Sequence, residues 1–104
     1  MTLQVKRKES TLEAKFVASC RRYGGDAIKL TSPGRAGMPD RLVVWNNGLT
    51  TFAELKRDGD APVSKGQLDE IKKLQDKGHV AMLVCSELDI AVFIAESMKR
   101  CLTT

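Results

Sequence analysis

Residues 40–56 read DRLVVWNNGLTTFAELK, and this stretch decides the fold. Apolar, aromatic and β-branched side chains are frequent in residues 40–45 and 49–56, as is typical of β-strands. Asn46-Asn47-Gly48 separates the two runs, and Asn and Gly tolerate the positive φ that tight turns need. The stretch therefore predicts two antiparallel strands joined by a hairpin turn.

Periodic segments flank this hairpin and predict a mixed α/β domain. They comprise three helices and two further strands: helix 11–23, strand 27–30, helix 65–77, strand 80–85 and helix 87–100. Ser10 and Ser64 are good N-caps for the first two helices. The order α-β-β-β-α-β-α, a hairpin followed by a β-α-β unit, predicts a mixed central sheet with helices on its faces.

Length and composition describe one ordinary globular domain. The chain has 104 residues, of which 42% are hydrophobic and 29% charged, so disordered and collagen-like classes are excluded. No apolar stretch approaches the ~20 residues needed to cross a bilayer, so we expect no membrane partner. Residues 1–9 lack the apolar core of a signal peptide and predict a flexible basic leader. We expect a single domain over residues 1–104.

The net charge and the cysteine content indicate which classes of partner and which cellular compartment to expect. Seventeen basic and thirteen acidic residues give a formal charge of +4, which suits a nucleic-acid partner without requiring one. Cys20, Cys85 and Cys101 stand far apart, without the C-x-x-C spacing of a zinc knuckle. All three lie in apolar contexts, where a free cysteine behaves as a small buried hydrophobe. The pattern favours the reducing cytoplasm over a disulfide framework.

Two acids and a lysine meet at one end of the predicted hairpin. Side chains alternate along a strand, so Glu54 and Lys56 share a face. Asp40 begins the preceding strand, which brings it close to the end of its antiparallel partner. Two carboxylates with room for water suit a hard cation such as Mg²⁺ or Mn²⁺, which activates water and polarises a phosphoryl oxygen. A cross-strand ion pair with a turn-capping Asp is the alternative, and the spacing alone does not separate the two.

Glu13 is a third acid in an unusual position. On the first predicted helix it falls within the apolar arc of Leu12, Phe16 and Cys20 rather than among the charged side chains. A carboxylate aimed at a core is costly unless it is paired or bound to a metal. Glu13 therefore either joins the acids of the hairpin or completes a capping box with Ser10.

The order of these residues resembles a known nuclease signature. Gly37-Met38-Pro39-Asp40-Arg41 followed by Glu54-Leu55-Lys56 is similar to the P-D…(D/E)-x-K motif. Within that superfamily the chain most resembles the VRR-NUC family of phage and bacterial stand-alone proteins, and the match covers about residues 13–85. The other matching features are the helical glutamate Glu13, the Ser-x-x-Gln of residues 64–67 and the Leu-x-x-x-Gly helix end of residues 74–78.

The resemblance implies a restriction-endonuclease-like fold and metal-dependent hydrolysis of DNA phosphodiester bonds in the cytoplasm of a bacterium or phage host. It implies a Mg²⁺ or Mn²⁺ ion held by Glu13, Asp40, Glu54 and the main-chain carbonyl of Leu55. Lys56 would act as the catalytic ammonium. The chain departs from the family pattern at residues 79–81, His-Val-Ala, where no arginine pair stands.

Several other residues are candidates for supporting roles. Gln67 lies on the inward arc of its helix, and it either bonds Lys56 or the scissile phosphate or completes a capping box with Ser64. Four basic side chains surround the expected centre in sequence and are predicted to contact DNA phosphates: Arg35, Arg41, Arg57 and Lys65.

We therefore expect an endonuclease that recognises DNA shape, such as a branched junction, because so short a chain has little surface for reading bases. A symmetric homodimer would present two centres to two strands. The apolar last helix either supplies its interface or is an ordinary buried helix. A basic nucleic-acid-binding module without turnover and a metal-free interaction protein are the alternatives.

Overall fold

Seven elements follow the predicted order. The computed structural model describes residues 4–103, and the side chains of residues 11–102. The elements are α1 (Gln4–Arg22), β1 (Gly25–Lys29), β2 (Arg41–Trp45), β3 (Thr50–Leu55), α2 (Lys65–Asp76), β4 (Ala81–Val84) and α3 (Glu87–Thr103). The predicted α/β class is confirmed. Within the described range, no helix combines the length and apolar character needed to span a bilayer.

The strands form one mixed sheet in the order β1-β2-β3-β4. The first two pairings are antiparallel, and β3 and β4 are parallel. The predicted hairpin turn is closed by the N–H of Gly48, which donates to the carbonyl of Trp45 at 2.9 Å. Gly48 has the positive φ, 90°, that this turn requires. Arg41 pairs with Ala53, so the residue before β2, Asp40, lies opposite Glu54.

Helix α1 begins earlier than the sequence predicts. It starts at Gln4, so Ser10 lies inside the helix and the prediction that it is the N-cap is wrong. The capping-box interpretation of Glu13 therefore fails too. Residues 1–3 of the predicted leader lie outside the described residues, and residues 4–9 continue the helix backbone. These early residues carry no hydrophobic periodicity, but Gln, Lys, Arg and Glu are good helix formers.

One face of the sheet carries the hydrophobic core. Side chains of β2 and β3 on this face pack beneath α1 and α3: Val43, Trp45, Ala53 and Leu55. The rings of Phe16 in α1 and Phe93 in α3 meet above them, with centroids 5.3 Å apart. Glu54 points to the opposite face because side chains alternate along β3. Helix α2 covers that face, where Gln75 donates to the carbonyl of Ala81 at 2.7 Å.

Helix α3 is chiefly a core element. Its Ile90, Phe93 and Ile94 are buried against the sheet and α1, which favours the buried-helix interpretation of this apolar segment. Ser97 is buried as well, and its hydroxyl donates to the Thr51 Oγ1 at 3.2 Å. This polar contact links the helix to the beginning of β3.

The cysteines are free thiols in three different environments. Cys20 is buried, Cys101 is half-buried and Cys85 is exposed, so the prediction that all three are buried hydrophobes is wrong for Cys85. That residue directly follows β4, where the chain leaves the sheet. Burial raises the pKa of Cys20 to about 12, so its thiol stays protonated at neutral pH.

Candidate active site

Asp40 and Glu54 interlock at the end of the hairpin. The N–H of Asp40 donates to Glu54 Oε1 at 3.1 Å. The N–H of Leu55 donates to Asp40 Oδ1, also at 3.1 Å. Each carboxylate is thus fixed by the backbone of the segment that carries the other. The β2–β3 register makes this possible because it leaves Asp40 just beyond the last paired residue.

Both carboxyl groups resist ionisation. Glu54 is 6% exposed, and burial together with the nearby Asp40 charge raises its pKa to about 7, against an opposing effect of Lys56. Burial raises the pKa of Asp40 as well, although the Leu55 N–H and the Arg41 charge oppose the shift. Like charges that share a buried site are stabilised by protonation or by a cation. The pair therefore has the electrostatics of a cation site.

Gln67 connects helix α2 to this pair. Its Nε2 donates to Glu54 Oε2 at 3.0 Å. Its Oε1 accepts the N–H of Ser64 at 2.9 Å, while Ser64 Oγ accepts the N–H of Gln67 at 3.1 Å. The side chain thus completes the capping box and reaches the acids at the same time. Its partner at the site is Glu54, whereas the sequence suggested Lys56 or a phosphate.

Glu13 reaches the same end of the sheet from α1, but it faces two arginines. Its Oε1 lies 3.7 Å from Arg41 Nη2, and its Oε2 lies 4.0 Å from Arg57 Nη1. These are ion pairs longer than hydrogen bonds. The Glu13 charge is close enough to Asp40 to contribute to the raised pKa of that carboxyl. The inward position expected from the helical arc is therefore observed, with arginines as the immediate partners.

Arg41 is largely buried beside the acids. Its side chain is 11% exposed, and Nη1 lies 3.5 Å from the carbonyl of Ala27. Among the described residues, its buried Nε has no hydrogen-bond partner. A guanidinium in this position balances the charge of Glu13 and Asp40. The DNA contact that the sequence suggested for Arg41 stays a prediction.

Lys56 and the remaining predicted basic residues lie nearer the surface. Burial raises the pKa of both Glu54 and Cys85, and the Lys56 charge opposes the rise in each, so its ammonium lies at the same end of the sheet as the acids. Arg57 holds Asp60 through its backbone N–H at 2.8 Å and its Nη2 at 3.2 Å.

The other two basic candidates each pair with an acid of α2. Arg35 contacts Glu70 at 2.9 Å. Lys65, whose side chain is 87% exposed, contacts Asp69 at 2.9 Å. Both cations are therefore in contact with side chains of α2.

The donor set suits a hard divalent cation. In the part of the chain whose side chains are described, no group of three His, Cys, Asp or Glu is already gathered as a metal-binding cluster. The chemistry of the acids nevertheless fits, because oxygen donors are the preferred ligands of Mg²⁺ and Mn²⁺. Asp40 and Glu54 adjoin, and Glu13 is held nearby by its arginines.

Glu70 is the residue that the sequence reasoning missed. It is 8% exposed, and Arg35 Nε donates to its Oε1 at 3.1 Å. A signal was present in the sequence. Glu70 follows Gln67 by one helical turn and precedes Ile71, so it lies on the side of α2 that faces the sheet.

Comparison with known proteins agrees with this geometry. No family model matches the chain. A protein named "Putative nuclease p44", from Acyrthosiphon pisum secondary endosymbiont phage 1, is 40% identical over 80 residues, which cover 77% of this chain and 85% of the phage protein. A solved structure described as a VRR_NUC domain superposes with a TM-score of 0.72 at 28% identity, covering 85% of this chain and 95% of that one.

A four-stranded mixed sheet with Asp40, Glu54 and Lys56 at one end defines a nuclease domain of the P-D…(D/E)-x-K type. Within that class the chain belongs to the VRR-NUC family, as its phage relative and the matching structure show. The resemblance found in the motifs is thus confirmed.

Proposed function

We propose that this protein hydrolyses DNA phosphodiester bonds with the help of a divalent cation, Mg²⁺ or Mn²⁺. The observation that carries the proposal is the pair of Asp40 and Glu54, a half-buried and a buried carboxyl group that share hydrogen bonds and have raised pKa values beside a lysine. Concentrating acids in this way is unfavourable for a protein that only binds an anionic polymer. It is favourable for one that must hold a cation against a phosphate.

Each residue of the site has a role in this proposal. Asp40, Glu54 and the main-chain carbonyl of Leu55 would hold the ion, and Glu13 would complete the ligand set. When bound, such an ion supplies a Lewis acid and lowers the pKa of water. Lys56 would orient the attacking water or stabilise the charge that develops on the phosphate.

Gln67 and Arg41 would act on the ligands rather than on the substrate. The hydrogen bond from Gln67 keeps Glu54 in one rotamer. The Arg41 guanidinium offsets part of the negative charge of Glu13 and Asp40. Both contacts limit the reorganisation that the acids need when a cation arrives, and preorganised ligands bind more tightly.

Basic side chains near the acids would contact the DNA backbone. Lys65 is the most accessible of the predicted contacts, and Arg35 is 55% exposed while it pairs with Glu70. Arg57 is less exposed and lies beside Glu13. Contacts of this kind position a duplex but carry no sequence information. This supports recognition by DNA shape, with a branched junction as the proposed substrate.

A homodimer with two such centres would fit a branched DNA with two strands to cut, and two-fold dimers are the commonest oligomers. Light scattering of the full chain at several concentrations tests this part of the proposal. A monomeric mass at every concentration would overturn it without touching the chemistry.

Cleavage of labelled DNA tests the proposed reaction. The protein is incubated with a four-way junction and with a linear duplex of the same sequence, in Mg²⁺, Mn²⁺ or EDTA. We expect cation-dependent cleavage, faster on the junction, and its loss in Glu54→Gln. Lys72→Ala, which changes an exposed lysine paired with Asp76, is the matched control and should cut like the parent.

Two outcomes would favour the alternatives. A protein that retards the junction in a gel but never shortens it would be a binding module. A protein that neither retards nor cuts DNA, and takes up no cation by calorimetry, would be a metal-free interaction protein. Equal cleavage in EDTA would overturn the metal dependence while leaving a nuclease.

A further inference from the structure

The loop that carries Asp40 is attached to helix α2 by a partly buried ion pair. This loop, residues 30–40, is hereafter the Asp40 loop. Arg35 reaches Glu70 Oε1 with two nitrogens, Nε at 3.1 Å and Nη2 at 2.9 Å. Glu70 is 8% exposed, and the Arg35 hydrogen bond lowers the pKa of its carboxyl. The loop therefore supplies the main counter-ion of an acid on α2.

A second contact joins the loop backbone to the first turn of α2. Gly37 has a φ of 89°, and a Cβ built on it would lie 2.7 Å from the carbonyl oxygen of Gly66. Only glycine fits so close an approach with a positive φ. Pro39 is fully buried, and the N–H of Leu30 donates to the carbonyl of Asp40 at 2.8 Å. The loop is thus closed at its base and lies directly on the helix.

The same helix also holds the second acid. Gln67, in the first turn of α2, donates to Glu54 Oε2, while Glu70, one turn later, holds the Asp40 loop through Arg35. Helix α2 therefore contacts both segments that carry the paired carboxylates. A shift of the loop relative to α2 would change the separation of Asp40 from Glu54.

We propose that Arg35 and Glu70 are positioning residues that set the placement of Asp40 against Glu54, and so the affinity of the pair for a divalent cation. The predicted effect on cation affinity rests on the proposed function. The predicted effect on the position of Asp40 against Glu54 does not, because it concerns the protein without a cation. Ligands of a metal site must be held within about 0.5 Å of their working positions, and a loop without regular structure needs such an attachment.

Two backbone amides report the placement without any activity. The N–H of Asp40 is bonded to Glu54 Oε1, and the N–H of Leu55 to Asp40 Oδ1. In ¹⁵N spectra of the full chain, Glu70→Gln should shift both resonances and accelerate their hydrogen exchange roughly tenfold, which corresponds to ~1.4 kcal/mol. Asp69→Asn is the matched control, because Asp69 is a neighbouring acid of α2 that pairs with the exposed Lys65. It should leave both amides unchanged.

The cation affinity gives the second readout. The Mn²⁺ concentration for half-saturation, measured by calorimetry, should rise roughly tenfold in Glu70→Gln, equivalent to ~1.4 kcal/mol, and stay at the parental value in Asp69→Asn. The charge-swapped double variant R35E/E70R should recover much of the loss. A purely structural role for Glu70 would lower the melting temperature without that recovery of Mn²⁺ binding.

The outcomes separate this inference from the proposed function. Unchanged amides and unchanged Mn²⁺ binding in Glu70→Gln would overturn the inference. Should that variant not fold, Arg35→Gln removes the half-exposed member of the pair and is read in the same way. If Glu70→Gln perturbs the two amides but the parent protein takes up no cation, the placement of Asp40 by Arg35 and Glu70 is supported. The metal-dependent function is overturned instead.

Discussion

Asp40 donates its backbone N–H to the side chain of Glu54, while Asp40's own carboxylate accepts the N–H of the residue that follows Glu54. The two acids therefore share one backbone frame, and neither can move far without loss of a hydrogen bond. This frame holds like charges together in a place with little access to water. Burial of the two carboxyl groups raises both of their pKa values. The pH dependence and the cation dependence that we expect of the protein follow from these raised values.

Glu54 makes the apoprotein less stable as pH rises. Its folded-state pKa of about 7 lies above the ordinary value of 4.5, so the folded state binds its proton more tightly than the unfolded state. The stabilisation is fully present below pH 4.5 and is lost as pH rises to about 7. Urea unfolding in EDTA between pH 4.5 and 8 should show this decline, and Glu54→Gln should remove part of it. Parallel pH profiles for the two proteins would contradict the assignment.

A divalent cation should stabilise the protein above neutral pH, where Glu54 is ionised. A ligand that binds only the folded state at a hundredfold excess over its Kd adds ~2.7 kcal/mol. We therefore expect Mn²⁺ to raise the melting temperature at pH 8, with a smaller rise in Asp40→Asn. Sodium at matched ionic strength is the control for screening. An equal rise in the parent and in Asp40→Asn would place the cation elsewhere.

Lys56→Ala should remain folded and take up cation, yet lose most of its cleavage. Loss of a group that moves protons or stabilises transition-state charge typically costs ~10²–10⁴-fold in rate. Single-turnover cleavage of the junction at saturating Mn²⁺ measures the chemical step alone. Lys72→Ala removes a comparable charge from the exposed side of α2 and serves as the reference. Parental rates in Lys56→Ala would refute the assigned role.

Glu13→Gln should reduce cleavage strongly with little change in melting temperature. Among the residues whose side chains are described, the Glu13 carboxylate pairs with Arg41 and Arg57 at distances longer than hydrogen bonds, and Gln keeps the size of the side chain, so we expect a small change in stability. Since Ser10 lies inside α1, a lost N-cap offers no competing explanation. Thermal unfolding and Mn²⁺ titration of the same preparation provide the comparison. A marked drop in stability with unchanged cation binding would mean that Glu13 is structural.

Local patterns were enough to predict most elements of the fold. The Asn-Asn-Gly turn and the strands beside it determined the hairpin, and Ser64 determined the start of α2. These features depend on backbone preferences of a few neighbouring residues, so they are readable without knowledge of distant contacts. The start of α1 was not readable, because a polar helical turn without an apolar stripe has no periodic signal.

The sequence also determined which acids stand opposite each other, since strand alternation and a hairpin register are local properties. Partners from different elements were decided only by the tertiary structure. Arg41 and Arg57 are set against Glu13 by the packing of α1 on the sheet, and Arg35 is set against Glu70 by the way the Asp40 loop lies on α2. Three basic residues predicted to contact DNA, Arg35, Arg41 and Arg57, therefore also pair with acids distant in the chain, because carboxylates that are wholly or partly buried are stabilised by the nearest counter-ions that the fold supplies.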